Sequence, residues 1–212
     1  MPLALGKAVH KGIELKIHGV PHSEAVLNGW AEADFHPEVS YQDISRLVNN
    51  APIRKGGKTE VYFKLPLSSF PSAPQLQGYI DLIQGNKIVD WKTNWRPYSV
   101  LENHQMGLYA WALHKLKGYQ WIEGSLYFLR YRKESKHFFN LLDIEKARTW
   151  AETLANEIES KLSILDMLPE AKNQLFPDSP SKSCRHCSFV VTCYKNTKGS
   201  VLRNDRKENL CI

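Results

Sequence analysis

Apolar positions along the chain switch between two periods, and the switches mark out the elements. In the opening helix pattern, Leu5 to Leu15, Val9, Ile13 and then Ile17 fall on one stripe, which predicts an amphipathic helix. Residues 22–57 are mixed and helical in part. Val39, Ile44, Leu47 and Val48 make a second buried stripe there, Pro37 and Pro52 mark ends, and Gly56-Gly57 is a turn. Glu60 to Leu67 predicts a strand, stopped by a loop rich in serine and proline. Leu76 to Asn94 holds two β-branched and aromatic runs joined at Gly85-Asn86, a dipeptide suited to a two-residue hairpin turn. Ser99 is placed to cap a helix running to about Lys117 and ending at Gly118, with Leu101, Leu108, Ala112 and Leu116 as its stripe. Residues 123–133 and 135–144 predict a second hairpin, with Leu126, Phe128, Phe138 and Leu141 in the core. The longest helix is expected from Glu145 to Met167, amphipathic through Trp150, Leu154, Ile158 and Leu162.

The first hairpin carries the chemistry. A tight turn sets Leu82 opposite Val89 and Ile80 opposite Trp91 on one face, with Asp81 opposite Asp90 and Tyr79 opposite Lys92 on the other. Directly opposed residues stand about 4.5–5.5 Å apart, where like charges destabilise the sheet. Two facing aspartates therefore call for a cation, and a hard divalent metal is the natural candidate. Lys92 projects on the same side as Asp90. Two carboxylates and an ammonium on one face suit metal-assisted attack of water on a phosphodiester. The alternative is an exposed hairpin with ordinary surface charges.

Other residues extend or leave open this reading. His10 and Glu14 share a helix face at i, i+4 spacing, as do Gln105 and Tyr109. A glutamine inside an apolar stripe must find partners, because an unpaired buried amide is costly. Cys184 and Cys187, with Cys193 six positions on, can bring three thiolates onto one ion or cluster, or can be three buried thiols.

Composition narrows the picture modestly. A chain of 212 residues suits one domain, or one domain with an appendage. No apolar run reaches the length of a membrane span and no signal-peptide pattern opens the chain. The expected setting is the cytoplasm, nucleoid-associated in a cell or in the host cytoplasm if viral. Net charge is +6, with basic residues spread along the chain, which is compatible with a polyanionic partner but locates no groove.

Gly78-Tyr79-Ile80-Asp81 and Ile88-Val89-Asp90-Trp91-Lys92-Thr93 resemble the G-x-I-D … V-D-x-K-T core of the PD-(D/E)XK nuclease superfamily, and within it the RecB-type exonuclease branch. Three more segments resemble that branch in the same order. Leu5 to Glu14 matches L-G-x-x-V-H-x-x-I-E, and Gln105 to Tyr109 matches Q-x-x-x-Y. The cysteine run is similar to that of iron–sulfur nucleases, including those of CRISPR adaptation. The resemblance implies an α/β restriction-endonuclease-like core over residues 1–168, a mixed central sheet flanked by helices. Residues 169–212 would be a cysteine-containing segment packed on that core. It further implies Mg²⁺- or Mn²⁺-dependent hydrolysis of DNA, on single strands or ends, in recombination, repair or phage and CRISPR processing. His10, Asp81, Asp90 and the Trp91 carbonyl would hold the metal, and Lys92 would position the water. Gln105 and Tyr109 would steady the strand, and Glu60 could assist from the start of its strand.

A [4Fe-4S] cluster is implied on Cys184, Cys187 and Cys193, with zinc as the alternative. The family's fourth cysteine, upstream of the first helix, has no counterpart here. Cys211 could replace it, or His186 could join a zinc site; otherwise the cluster is absent or an N-terminal segment is missing. The competing expectations are a DNA-binding module that keeps the fold without catalysis, and a zinc-ribbon-like binding protein.

Overall fold

A computed structural model describes residues 2–53, 56–181, 184 and 187–196. The elements run α1 (Pro2–Ile17), α2 (His22–Glu32), α3 (Tyr41–Asn50), β1 (Lys58–Pro66), β2 (Gln75–Gln84), β3 (Lys87–Lys92), α4 (Gln105–Lys117), β4 (Trp121–Phe128), β5 (Lys133–Asn140) and α5 (Leu141–Met167). A 3₁₀ turn (Pro169–Ala171) and two short helices, α6 (Lys172–Leu175) and α7 (Val190–Asn196), follow. Two compact units result, one ending at Ala155 and one beginning at Asn156. No helix among the described residues is long and apolar enough to cross a membrane.

In the first unit the five strands lie in sequence order. All neighbours are antiparallel except β3 and β4, which are parallel and joined through α4, so the sheet is mixed. One core joins α1, α2 and α3 to Leu82, Val89, Trp91 and Leu129. The other joins α4 and the start of α5 to Phe63, Ile80, Ile88, Leu126, Phe128 and Phe139. The predicted stripes of α1 and α3 are buried. Helix α2 crosses α1 at Gly29, where a Cβ would stand 2.3 Å from the Ala8 carbonyl oxygen and 3.2 Å from the Gly12 nitrogen. Only glycine permits that approach, and it clamps the turn of α1 that carries His10.

The hairpin turn is the expected two-residue one, with Leu82 paired to Val89, Ile83 to Ile88 and Gln84 to Lys87. Pairing stops there. Asp81–Asp90, Ile80–Trp91 and Tyr79–Lys92 are not rungs of the ladder; the Trp91 N–H instead donates to Asp81 Oδ2 at 2.8 Å. The expected single apolar face also splits. Leu82 joins the core under α1, whereas Ile80 joins the core under α4. The cause is a kink shared by two strands. Glu60, which falls opposite Asp81 in the β1–β2 register, adopts φ 48, while Thr59–Leu82 and Val61–Ile80 stay paired on either side. A left-handed non-glycine residue costs roughly 1–3 kcal/mol and persists where its surroundings impose it, often at functional sites.

Three further expectations are corrected. Helix α4 begins at Gln105, not Ser99. Residues 99–103 close on themselves, with Ser99 N donating to Glu102 Oε1 and Leu101 N to Ser99 Oγ, and Asn103 Oδ1 receives the Gln105 N–H. The buried face of α4 is consequently Met106, Ala110, Trp111, Ala112 and Leu113, with Leu101 and Leu116 exposed. On β5 the buried residue is Phe139, while Phe138 and Leu141 are exposed. Phe139 pairs with buried Ile122 across the β4–β5 ladder, and both join the core under α4. Asn140 Oδ1 accepts from the N–H groups of Leu142 and Asp143, so α5 starts earlier than expected. Lastly, α5 buries Ile144, Ala147 and Ala151 and leaves Trp150, Leu154, Ile158 and Leu162 largely exposed. Its small residues select the contact: a Cβ on Gly107 would come within 2.8 Å of the Ala147 methyl. The close approach of α4 and α5 admits nothing larger.

Candidate active site

Strand β3 points Asp90 and Lys92 toward the α4 side, together with Ile88. Asp90 is only 2 % exposed. The Lys92 ammonium lies 2.8 Å from Asp90 Oδ2, off the hydrogen-bond direction, so that buried oxygen has an ionic neighbour without a well-aligned donor. Lys92 Nζ donates to Gln105 Oε1 at 2.9 Å, and Gln105 Nε2 donates to the Tyr109 hydroxyl at 3.0 Å. The last contact is the i, i+4 geometry of the first turns of α4. Tyr109 meets Phe63 edge-on at 6.1 Å. Gly78 leaves that space open, since a Cβ there would lie 3.2 Å from the Phe63 ring and 3.7 Å from Tyr109.

The opposite side of β3 faces α1. His10 Nε2 stands 2.7 Å from the Trp91 carbonyl oxygen and Nδ1 stands 3.3 Å from Asp81 Oδ2. A carbonyl only accepts, so Nε2 carries a hydrogen; a proton on Nδ1 as well makes the ring the countercharge of Asp81. Donor atoms of His10, Glu60 and Asp81 all lie within 4.8 Å of one another. Of these, His10 and Glu60 border a cleft of about 620 Å³ that is also lined by Leu3, Gly6, Lys7, Lys11, Glu14 and Glu32. Glu14 lies in this cleft but is engaged by Lys11 Nζ at 2.9 Å.

Proton affinities follow from this crowding. Burial would lower the His10 pKa, but hydrogen bonding to Asp81 and the charges of Asp81 and Asp90 outweigh it and raise it to about 9. Burial, then the charge of Asp81, pushes Asp90 above the ordinary carboxylate range, although Lys92 opposes the rise. Burial and Asp81 likewise raise Glu60. Burial acts against the charged form of Lys92, yet the Asp90 carboxylate keeps its pKa above the ordinary value. Burial, assisted by Asp90, pushes Tyr109 to about 12. These carboxylates therefore share more negative charge than the protein neutralises comfortably. A set of carboxylate oxygens, one imidazole nitrogen and a strand carbonyl is chemically suited to a divalent cation.

The structure thus brings His10, Asp81, Asp90, the Trp91 carbonyl, Lys92, Gln105 and Tyr109 into one connected set, and Glu60 joins it through its kink. Cys184, Cys187 and Cys193 lie in the second unit. The Cys184 carbonyl accepts the Cys187 N–H at 3.1 Å, and Asp178 together with the two neighbouring thiols raises the pKa of Cys193. Cys211 and His186 fall outside the described residues. Lys11, beside His10 in the cleft, and the loop after β3 were not singled out as functional from sequence. Their signals, a lysine three residues before a glutamate and a tryptophan just beyond the strand, are too common to stand out.

A mixed five-stranded sheet between helical layers, with carboxylates clustered where the hairpin ladder opens, defines a restriction-endonuclease-like α/β core. The sequence profile of the PD-(D/E)XK nuclease superfamily matches residues 2–194, and the chain belongs to that family. Its His10–Glu60–Asp81 group is compatible with the divalent metals such nucleases use. No curated protein and no solved structure matches the chain.

Proposed function

We propose that this chain is a Mg²⁺- or Mn²⁺-dependent deoxyribonuclease of the RecB-type branch, acting as an exonuclease on single-stranded DNA or DNA ends. The observation that carries the reading is the hydrogen-bonded series Tyr109–Gln105–Lys92, whose ammonium pairs ionically with Asp90, beside the donor group of His10, Glu60 and Asp81. His10, Asp81, Asp90 and the Trp91 carbonyl, with Glu60, would hold the cation. When bound, a divalent ion supplies Lewis acidity toward a phosphodiester oxygen and makes water a stronger nucleophile.

The chain's own residues do the rest. Lys92 has three N–H groups; one is given to Gln105 Oε1 and the ammonium pairs ionically with Asp90, so a donor is left for the attacking water or a phosphoryl oxygen. Its raised pKa keeps it an ammonium, so it orients and stabilises charge and does not act as a base. Gln105 fixes the direction of that ammonium, and neutral Tyr109 fixes Gln105; both also border the path of the strand. In this reading residues 1–168 form the nuclease core. The cysteine-containing segment, 169–212, carries a [4Fe-4S] cluster or zinc through Cys184, Cys187 and Cys193, with Cys211 as the further thiolate. Recombination, repair or phage and CRISPR DNA processing in a cytoplasmic or nucleoid setting is the matching context.

The test is incubation with end-labelled single-stranded DNA and Mg²⁺ or Mn²⁺, beside an EDTA control and Lys92→Ala. Metal-dependent degradation that the variant loses supports the proposal. Binding without cleavage by the parent protein would favour a non-catalytic DNA-binding module.

A further inference from the structure

Strands β3 and β4 run parallel, so the chain leaves both at the same end of the sheet, and the segments beyond them are neighbours. Thr93 to Trp95 follows Lys92, and Leu129 to Arg132 follows β4. The Leu129 N–H donates to the Lys92 carbonyl at 3.0 Å, Arg130 Nε donates to the Thr93 carbonyl at 2.8 Å, and the Tyr131 hydroxyl donates to the Trp95 carbonyl. From beneath, Asn50 of α3 donates to the Leu129 carbonyl at 2.9 Å and accepts from Arg132 Nε at 2.7 Å. These contacts fix a loop whose tip is an indole left 68 % exposed. The Arg130 guanidinium lies 3.7 Å from the centroid of that ring and covers one of its faces.

A single exposed aromatic residue is ordinary. A tryptophan whose backbone is tied down from the neighbouring strand, backed by a guanidinium on one face and open on the other, is arranged as a stacking surface. Three residues reach at most about 11 Å, so this surface stands a short step along a nucleotide chain from Lys92. A nucleobase can stack on the open indole face, a sequence-tolerant contact, while Arg130 and Arg132 contribute charge beside the phosphates. Only an unpaired, unstacked base can enter such a contact.

We propose that Trp95, held by Arg130 and Tyr131, is a base-stacking platform that positions a single-stranded polynucleotide beside the active site. This rests on the nuclease reading above and adds to it a specific subsite outside the metal and lysine machinery. Trp95 is a positioning residue, and the base, not the phosphate, is what it recognises.

The experiment titrates fluorescein-labelled oligothymidylate and a base-free deoxyribose-phosphate oligomer of equal length into the full chain. All proteins carry Lys92→Ala so that nothing is cut in Mg²⁺. Adding Trp95→Ala should weaken binding of the base-containing strand by roughly tenfold and leave the base-free strand unchanged, while Trp95→Phe should retain most of the affinity. Equal affinity of the Trp95→Ala protein for oligothymidylate would overturn the platform alone. So would an equal loss on both oligomers, which would make Trp95 merely structural. If the Lys92→Ala protein with Trp95 intact binds neither oligomer, the nucleic-acid reading itself falls, and the platform with it.

Discussion

The two sides of β3 meet opposite electrostatic conditions. Toward α4, the polar side chains form a connected series: Lys92 pairs ionically with Asp90 and donates to Gln105, and Gln105 reaches Tyr109. Toward α1, Glu60 and Asp81 crowd together with the His10 ring as the cation in contact, and His10 and Glu60 border an open cleft. One side is already organised by the protein. The other holds carboxylates raised in pKa or hydrogen-bonded to a protonated imidazole, a state that an arriving cation would relieve. The difference teaches that a hydrogen-bonded series and a crowded carboxylate group are built by different helices, α4 and α1, on the two sides of a single strand.

The strongest way to break this comparison is Lys92→Ala. Loss of a preorganised donor at a reacting centre costs about 10²–10³ in turnover, and far-UV circular dichroism should remain that of the parent. Retained turnover would mean that the α4 side is not machinery. The α1 side is probed by pH in the metal-free protein. His10 has its pKa raised from 6.5 to about 9, so the folded state holds a proton that the unfolded chain releases. That contribution is complete below pH 6.5 and is lost as pH rises through 9, a decline of order 3 kcal/mol. Urea unfolding in EDTA between pH 6 and 9.5 should show the decline, and Mg²⁺ should flatten it. A level profile in EDTA would remove His10 as the resident countercharge.

Somewhat smaller is the stabilisation by the metal itself. A ligand at 100 times its Kd adds about 2.7 kcal/mol to a folded protein, readable as a rise in melting temperature with Mn²⁺. Asp81→Asn should abolish most of that rise, and Gln105→Ala should leave it intact. Equal responses in the two variants would erase the distinction between the sides.

How much of this was legible beforehand depended on the range over which each feature is determined. Asp90 with Lys92, Gln105 with Tyr109, and the Gly85-Asn86 turn are set by spacings of a few residues, and the sequence displays them directly. The kink at Glu60 and Asp81 is not local. It depends on the Asp81 carboxylate accepting the Trp91 N–H while a residue of α1 holds it from the other side, and no alternation rule contains that. The α5 stripe misled for a similar reason. Trp150 and Leu154 are the more hydrophobic candidates, but the tight approach of Gly107 to Ala147 places the alanine face inward. At β5 the register with β4 decides: Phe139 lies opposite buried Ile122, and Phe138 lies opposite Glu123. Trp95 passed unremarked because its bracing comes from residues of another strand's exit loop.

The finest distinction lies within the α4 side and is reached by Tyr109→Phe. The ring that packs on Phe63 is kept, and only the hydroxyl that receives the Gln105 N–H is removed. One neutral hydrogen bond is worth about 1 kcal/mol net, so stability should fall by no more than that. Turnover should fall only a few-fold, because Gln105 Oε1 still faces Lys92. Gln105→Ala should cost more, since it removes an acceptor from the ammonium itself. If the phenol acts only through the amide, the two changes are coupled, and adding Tyr109→Phe to Gln105→Ala should cost almost nothing further. A double variant whose losses simply add would place the hydroxyl on the substrate directly. The α4 side would then be a contact surface for the strand as well as a support for the lysine.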